Sequence, residues 1–398
     1  MLVIAGNILV LGLLLALIEG LASYALLLRD LRDVPKTASL ARQHYAKYDP
    51  DLGWVNKPDL DLPDVYGPGG YVKTNAQGFR SDHTIQSSVA PGQVRIFCSG
   101  DSYTFGYGVA NSDTWCEKLA RFEPHFEAVN IGGDGYGVDQ AYLRYKRQAL
   151  ALEHQIHFFA FITDDFYRML ADSFLGYAKP FLKIENDRLV VRNVPVPARG
   201  GYAPRLGHLI EQMKSLRTFE FIRRLRHKIV QQGPNDVIEA GLSQRQRDDK
   251  AQELLRQIFA DLKKAAAERE IRLVLVYLPT IWELENRPLP GWSGHPQWSE
   301  FLNGEARRQD IPFIDVFERL AKVPHDTMVQ MFIPEGKLPY PEARFHLNER
   351  GNEAVAEIIY DRVVSDAALV CGLAARGRPI SAPKRSVESP AAVPQCGQ

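Results

Sequence analysis

The sequence has little cysteine and no excess of charge of either sign, and both shortages narrow the possible functions. Four cysteines in 398 residues, with no CxxC pair and no Cys/His cluster at ligand spacing, exclude a disulfide-stapled miniprotein and a zinc module. Lys plus Arg and Asp plus Glu each total 48, so no basic surplus exists to attract nucleic acid. Hydrophobic residues make up 45% of the chain, which excludes a wholly disordered protein.

One long apolar segment occurs, at the N-terminus. Residues 1–28 are almost all apolar, and about 20 helical residues are enough to cross a hydrocarbon layer. We therefore predict a single transmembrane helix over 1–28, with a cleaved signal peptide as the alternative. Arg29, Arg32 and Lys36 follow this segment. The positive-inside rule alone would therefore place the rest of the chain in the cytoplasm.

Short apolar runs alternate with amphipathic segments between residues 94 and 366. The runs predict strands buried on both faces of a sheet, and they are Val94–Cys98, Ala128–Ile131, Phe158–Ile162, Leu273–Leu278 and Phe313–Val316. The segments with helical spacing are Trp115–Phe122, Gln140–Leu152, Asp248–Arg269 and Glu349–Val364. This alternation predicts an α/β fold in three layers, α/β/α, around a mostly parallel five-stranded sheet. In such sheets ligands bind beyond the carboxyl ends of the strands.

Three other segments differ from this pattern in composition. Residues 34–93 are rich in Pro, Gly, Asp and Tyr and predict an irregular leader packed on the core. Residues 170–247 predict a helical insertion, in which the basic amphipathic part at 205–229 has either a solvated face or a face that docks on an anionic bilayer or a partner. Residues 376–398 predict a disordered tail.

Four blocks of chemically useful side chains lie at strand ends or helix starts. Ser102, in Gly-Asp-Ser, stands at a strand-to-helix turn, where helix-start amides favour an oxyanion. The glycine-dense loop 130–137 allows backbone amides to approach a ligand closely. Thr-Asp-Asp at 163–165 follows the third strand, and His346 precedes the last helix. A serine hydroxyl needs an imidazole to take its proton at neutral pH, and distance along the chain does not prevent such a pairing.

In this order, the four blocks resemble those of the SGNH (GDSL-type) hydrolase superfamily over about residues 94–366. The stretches Tyr48–Trp54, Asn75–Arg80 and Lys179–Phe181 are similar to those of its membrane-anchored bacterial branch. The resemblance implies a flavodoxin-like fold and a serine esterase or O-acyltransferase that uses no metal or organic cofactor.

The resemblance also implies a role for each site residue. It makes Ser102 the nucleophile, the amides of Ser102 and Gly135 the oxyanion donors, and His346 the general base. Asp164 stands where the family commonly has an asparagine as the third oxyanion donor. An ionised carboxylate donates no hydrogen bond, so Asp164 must be protonated, turned away or replaced by another donor.

A second departure concerns the acid that orients the histidine. Ala343 and Arg344 occupy the positions where the family usually has this acid, and neither side chain can do its job. Glu342, one position further back, or a backbone carbonyl is the possible substitute. A Ser–His dyad would retain part of the chemistry.

Together with the apolar N-terminus, the resemblance implies a membrane-anchored serine esterase or O-acyltransferase that acts on ester groups, chiefly O-acetyl groups, of a cell-envelope glycan or a similar substrate. The resemblance favours an extracytoplasmic domain and admits a membrane-bound acyltransferase as a partner. The altered positions support an alternative, a catalytically degenerate relative that binds acylated glycan or scaffolds an envelope-assembly complex. A third hypothesis is docking on a membrane or partner through the basic segment at 205–229.

The first two cysteines lie close to the nucleophile block. Cys98 comes just before the turn and Cys116 lies on the following helix. We interpret Cys98 as a small apolar core residue. A bridge between Cys98 and Cys116 is the alternative if the domain is extracytoplasmic.

Overall fold

The structure is a computed structural model that describes residues 2–37, 40–175, 177–197, 242–287, 293–338, 340, 343–375 and 377. The strands are β1 (Ala46–Asp49), β2 (Gly53–Asn56), β3 (Asp61–Leu62), β4 (Val72–Lys73), β5 (Val94–Ser99), β6 (Phe126–Asn130), β7 (Ile156–Phe161), β8 (Ser173–Phe174), β9 (Tyr177–Ala178), β10 (Phe181–Glu185), β11 (Arg188–Arg192), β12 (Arg272–Tyr277) and β13 (Phe313–Asp315). The helices are α1 (Leu2–Thr37), α2 (Leu40–Tyr45), α3 (Ser102–Phe105), α4 (Trp115–Phe122), α5 (Val138–Arg144), α6 (Thr163–Arg168), α7 (Gln244–Ala267), α8 (Ile281–Leu284), α9 (His295–Arg308), α10 (Phe317–Leu320), α11 (His325–Val329), α12 (Glu349–Ser365) and α13 (Ala367–Ala375).

Five strands form a parallel sheet in the order β13–β12–β7–β5–β6. The chain passes from β5 to β6 on one side and then crosses to β7 on the other, so the strand order reverses at β5. In open α/β sheets this reversal leaves a crevice beyond the carboxyl end of the strand. The fold therefore places the segment that follows Ser99 at the position where such sheets bind ligands.

The sheet has a hydrophobic core on each face. Alternate residues of β5 point to opposite faces, so Phe97 joins one core while Ile96 and Cys98 join the other. Helices α5, α7 and α9 cover the first face, and α4, α12 and α13 cover the second. Each fully buried large apolar side chain in these cores contributes roughly 1.5–3 kcal/mol. The predicted α/β fold in three layers with a five-stranded parallel sheet is confirmed, and the five strands lie within two residues of their predicted bounds.

The segment before β5 packs on this domain through aromatic side chains. Trp54 and Phe79 belong to the first core, and the Trp54 indole N–H donates to the carbonyl of Asp134 at 2.8 Å. Tyr45 and Tyr66 pack with Phe105 and Tyr107 in a third, smaller cluster, directly after the turn that carries Ser102. The leader thus contacts both the segment after Ser102 and the glycine-dense loop.

The described beginning of the predicted helical insertion is not helical. Strands β8 and β9 form one short antiparallel pair, and β10 and β11 form a longer one. The basic segment at 205–229 lies outside the described residues, as does the predicted tail apart from one residue.

The N-terminal helix α1 covers residues 2–37. Within the described part of the chain, no helix is both long and apolar enough to cross a membrane. The predicted transmembrane helix over 1–28 therefore gains no support from the described residues.

Cys98 and Cys116 form a disulfide between β5 and α4, with their Cα atoms 6.1 Å apart. Both residues are fully buried. The interpretation of Cys98 as an unbonded core residue was wrong. The packing of α4 against β5 brings the two Cα atoms to a separation at which a disulfide forms.

Candidate active site

The nucleophile turn begins directly after β5. Ser102 is the first residue of α3, and the Asp101 carboxylate caps this helix by accepting from the Tyr103 amide at 2.9 Å. A Cβ atom at Gly100 would lie 2.3 Å from the Thr104 hydroxyl oxygen and 2.7 Å from the Ala160 carbonyl oxygen. Because no side chain fits there, glycine permits the tight turn that brings Ser102 to the edge of the sheet.

His346 lies against this turn although 244 positions separate it from Ser102. Two hydrogen bonds to backbone carbonyls hold its segment. The Ile333 amide donates to the His346 carbonyl at 2.8 Å, and the Tyr103 hydroxyl donates to the Phe345 carbonyl at 2.9 Å. The distance between Ser102 Oγ and His346 Nε2 is 2.9 Å. The structure therefore brings the predicted nucleophile and the predicted base within hydrogen-bond distance.

The imidazole of His346 lies between aromatic rings. Its centroid is 4.9 Å from that of Tyr103 and 5.3 Å from that of Tyr107. Burial lowers the pKa of His346 to about 4, although the charge of Asp134 opposes this shift. The ring is therefore neutral at pH 7, and in the tautomer that leaves the Nε2 lone pair free, Nε2 can accept the proton of the Ser102 hydroxyl.

The other imidazole nitrogen has no orienting acid among the described residues. His346 Nδ1 is buried and forms no hydrogen bond to any of them. The carbonyls of Ala343 and Arg344 lie close enough to oppose the shift in pKa, but neither accepts a hydrogen bond from Nδ1. Glu342, the predicted substitute, lies outside the described residues. The described part of the site is therefore a Ser–His dyad.

The glycine-dense loop runs beside the nucleophile turn. The Gly133 amide donates to the Gly100 carbonyl at 2.9 Å and fixes this approach. Gly135 has a φ of +72°, and a Cβ atom there would lie 2.3 Å from an Arg42 guanidinium nitrogen. The amides of Ser102 and Gly135, the two predicted oxyanion donors, form no hydrogen bond to another described residue. Both donors therefore remain available to a ligand.

Asp134 connects this loop to the leader. Its carboxylate accepts from Arg42 Nε at 2.9 Å, from Arg42 Nη2 at 3.1 Å and from the Tyr45 hydroxyl at 2.7 Å. Burial opposes ionisation of Asp134, but the Arg42 guanidinium outweighs it and holds the pKa of Asp134 below its usual value. This ion pair fixes the loop that carries Gly135.

The opposite side of Ser102 is densely charged. Ser102 Oγ lies 3.3 Å from Asp101 Oδ2, and Asp164 and Asp165 follow at the start of α6. Burial, together with the nearby charge of Glu283, raises the pKa of Asp164 to about 6 although a neighbouring guanidinium opposes the shift. Asp164 lies 3.7 Å from Arg168 Nη2, and near neutral pH its carboxyl group is divided between the charged and the protonated form.

Sequence reasoning missed Arg168, which lies among these carboxylates. Arg168 Nη1 is 2.8 Å from Asp165 Oδ1 and 3.5 Å from Asp101 Oδ2. A signal was present, because Arg168 follows Asp164 by four positions and so lies on the same face of α6. No group of three or more His, Cys, Asp or Glu side chains among the described residues is arranged to hold a metal ion.

No known protein family and no curated protein matches the chain. Among solved structures, the chain is similar to a member of the lipolytic protein G-D-S-L family from Veillonella parvula DSM 2008, with 14% identity, coverage of 67% of this chain and 95% of that one, and a TM-score of 0.35. It is also similar to the lipase/acylhydrolase from Enterococcus faecalis, with 13% identity, coverage of 74% and 100%, and a TM-score of 0.36. The acetyl xylan esterase AlAXEase has 13% identity, coverage of 68% and 100%, and a TM-score of 0.37.

Proposed function

We propose that the protein is a serine esterase or O-acyltransferase whose acyl-enzyme forms on Ser102. The observation that carries the proposal is the 2.9 Å contact between Ser102 Oγ and His346 Nε2 at the carboxyl edge of the parallel sheet. A nucleophile within reach of a neutral imidazole, beside two free backbone amides, is the arrangement that acyl transfer requires.

The reaction follows from these positions. Ser102 Oγ attacks the ester carbonyl carbon while its proton passes to His346 Nε2, and the carbonyl π electrons move onto oxygen. The tetrahedral intermediate expels the alcohol, which takes the proton back from His346 and leaves an acyl group on Ser102. A water or a sugar hydroxyl then attacks the acyl carbon by the same route. Water releases a carboxylic acid, whereas a sugar hydroxyl gives a new ester, and both restore Ser102.

A short acyl group, chiefly acetyl, on a glycan is the substrate that we propose. Ser102 is only 4% exposed, which favours a short acyl chain over a long one. Next to the site, Tyr340 packs edge-on against Tyr66 with centroids 6.0 Å apart and is partly exposed. A partly exposed aromatic face offers a sugar ring a place to stack. The origin of the glycan in a cell envelope stays part of this proposal.

We also propose an extracytoplasmic location for the catalytic domain. The buried Cys98–Cys116 disulfide supports it, because structural disulfides persist mainly in oxidising compartments. Alkylation of thiols in intact cells, followed by non-reducing mass measurement, tests the location. Attachment through residues 1–28, and a membrane-bound acyltransferase as partner, stay predictions that membrane fractionation and co-purification test.

Covalent labelling tests the catalytic proposal directly. A fluorophosphonate probe is expected to modify the wild-type protein at Ser102, as read by peptide mass, and Ser102→Ala is expected to abolish both labelling and hydrolysis of 4-nitrophenyl acetate. Ser112→Ala, at a partly exposed serine away from His346, is the matched control and is expected to behave as wild type. Equal turnover by Ser102→Ala and wild type would contradict the proposal.

A second candidate function is binding of acylated glycan without turnover. The unpartnered His346 Nδ1 and the carboxylate at position 164 favour it. In that case calorimetry would detect binding of an acetylated oligosaccharide, while the fluorophosphonate probe would leave Ser102 unmodified.

A further inference from the structure

One guanidinium group contacts each of the loops from which oxyanion donors are expected. Arg168 Nη1 lies 3.5 Å from Asp101 Oδ2 in the nucleophile turn, and it donates to the Tyr136 carbonyl, in the glycine-dense loop, at 3.3 Å. Arg168 Nη2 lies 3.7 Å from Asp164 Oδ1. Ser102 Oγ is 3.3 Å from the same Asp101 oxygen. Arg168 and Ser102 therefore both contact one carboxylate oxygen of Asp101.

The hydrogen-bonding capacity of Arg168 is only partly used. Its Nη1 serves Asp165 at 2.8 Å and the Tyr136 carbonyl, whereas Nη2 makes no hydrogen bond to a described residue. The side chain is 12% exposed, and its guanidinium carbon lies 4.9 Å from the centroid of the Phe174 ring. Contacts on Nη1 and on the guanidinium carbon hold the group in place, while the 3.7 Å ion pair with Asp164 leaves the Nη2 donors without a hydrogen bond to a described residue.

The resemblance of the motifs implies an oxyanion donor at position 164, where this chain has an aspartate. A charged Asp164 donates no hydrogen bond and would repel an oxyanion formed at Ser102. The guanidinium beside it carries a permanent positive charge, and its Nη2, which makes no hydrogen bond to a described residue, lies 3.7 Å from Asp164 Oδ1. A charge-assisted donor of this kind binds an oxyanion more strongly than a neutral amide does.

We propose that Arg168 is a catalytic residue that donates through Nη2 to the oxyanion of the tetrahedral intermediate and so replaces the missing donor at position 164. This inference rests on the proposed function. As Ser102 Oγ bonds to the carbonyl carbon, the π electrons that move onto oxygen create a charge that the Nη2 donors and the amides of Ser102 and Gly135 share. Collapse of the intermediate returns this electron pair to the carbonyl and releases the Arg168 contact unchanged.

Substitution of Arg168 tests the proposal. Removing one oxyanion donor typically lowers kcat by about 10²–10³-fold, so Arg168→Gln is expected to lose this factor on 4-nitrophenyl acetate with KM changed less than about threefold. Affinity for a trifluoromethyl ketone, which forms a tetrahedral oxyanion on serine, is expected to fall by a similar factor. In Arg168→Gly, added guanidinium ion is expected to restore turnover in a saturable manner. A purely structural role would not produce this rescue.

The control is Arg95→Gln. Arg95 is a buried arginine at the opposite end of β5, where it pairs with Glu127 at 2.8 Å. Loss of Arg95 is expected to lower the melting temperature and to leave kcat unchanged below that temperature.

A double variant keeps the test decisive if Arg168→Gln alone does not fold. Asp164→Asn/Arg168→Gln removes one carboxyl group along with the guanidinium and supplies an amide donor at position 164. It is expected to have at least about tenfold higher kcat than Arg168→Gln, or to be folded and active where that variant is not.

Failure of this inference differs from failure of the proposed function. If fluorophosphonate labels Ser102 in the wild type, while folded Arg168→Gln keeps kcat and ketone affinity within twofold, the role of Arg168 is overturned and the esterase proposal stands. If the probe does not label the wild type at all, the proposed function itself is overturned.

Discussion

Among the described residues, two serines contact a histidine Nε2, and these two serines are three residues apart. Ser99 Oγ lies 2.6 Å from His157 Nε2, and Ser102 Oγ lies 2.9 Å from His346 Nε2. In both pairs burial lowers the pKa of the histidine, and Nδ1 has no hydrogen-bond partner among the described residues. By the chemistry of the two side chains alone, the pairs are alike.

Their surroundings differ. Ser99 and His157 are fully buried within the sheet, with the Tyr145 ring stacked on the imidazole at 3.6 Å. Ser102 lies beyond the end of β5, beside free backbone amides and the guanidinium of Arg168. A Ser–His hydrogen bond is therefore not sufficient for catalysis. Access for a substrate and donors for an oxyanion distinguish the second pair from the first.

Removal of each serine gives the largest contrast. Ser102→Ala and His346→Gln are each expected to lower kcat for 4-nitrophenyl acetate by at least about 10⁴-fold, because serine and histidine act as a unit. Steady-state kinetics measure this loss. Ser99→Ala, assayed well below its melting temperature, is expected to keep kcat within about threefold. An equal loss of activity in Ser99→Ala would remove the distinction between the pairs.

The disulfide is expected to give the next largest effect. It closes a loop with a sequence separation of 18 and ties the strand that carries Ser99 to α4. The double variant Cys98→Ala/Cys116→Ala is expected to lose about 3 kcal/mol in the free energy of unfolding, since a loop of this length is freed in the unfolded state. Urea denaturation measures this loss. Reduction of the wild type with dithiothreitol is the parallel experiment, and an unchanged unfolding midpoint in both would contradict the expectation.

Ser99→Ala is expected to lower the free energy of unfolding more than Ser102→Ala does, which is the opposite of their order in loss of activity. Ser99→Ala leaves His157 Nε2 buried without a partner, which costs about 1–3 kcal/mol in the free energy of unfolding. Ser102→Ala is expected to cost less, because its partner His346 lies at the partly exposed edge of the sheet. Thermal unfolding followed by circular dichroism compares the two variants. A larger loss of stability in Ser102→Ala than in Ser99→Ala would show that the pairs are misassigned.

The pH profile is expected to give the smallest effect, about tenfold in kcat/KM. His346 accepts a proton only while neutral, so activity is expected to fall below its pKa of about 4. Asp164 faces Arg168, Glu283 and Asp101 and has a pKa of about 6, so it becomes charged as pH rises and then repels the oxyanion. Activity is therefore expected to be highest between about pH 4 and 6.

Asp164→Asn separates the two limbs of this profile. The variant is expected to lose the decline above pH 6 and to keep the decline below pH 4. An unchanged upper limb in Asp164→Asn would show that another group causes it.

The order of strands and helices was predictable because each buried strand appears as a short apolar run. Each covering helix has apolar residues at three- and four-residue spacing. The pairing of Ser102 with His346 came from the resemblance of the motifs, and the geometry agrees with it. Ser99 and His157 gave no signal, since neither lies in a motif and only the register of β5 against β7 brings them together. Arg168 was missed because its contacts with Asp101 and the Tyr136 carbonyl join segments far apart in the sequence, and its spacing from Asp164 alone does not predict them. The Cys98–Cys116 bridge was only the alternative prediction, because the distance between β5 and α4 is set by packing, which the sequence does not show.

The ion pair between Arg42 and Asp134 bears on how small an active fragment can be made. Arg42 lies more than fifty positions before the first strand of the parallel sheet, yet its guanidinium fills the space beside Gly135 and holds the loop that carries this glycine. A fragment that begins at residue 94 would retain Ser102, His346 and Arg168 but would leave Asp134 as a buried charge without its counterion. The leader therefore belongs to the same structural unit as Ser102 and His346, and its removal is expected to disturb the glycine-dense loop 130–137 before it disturbs the sheet.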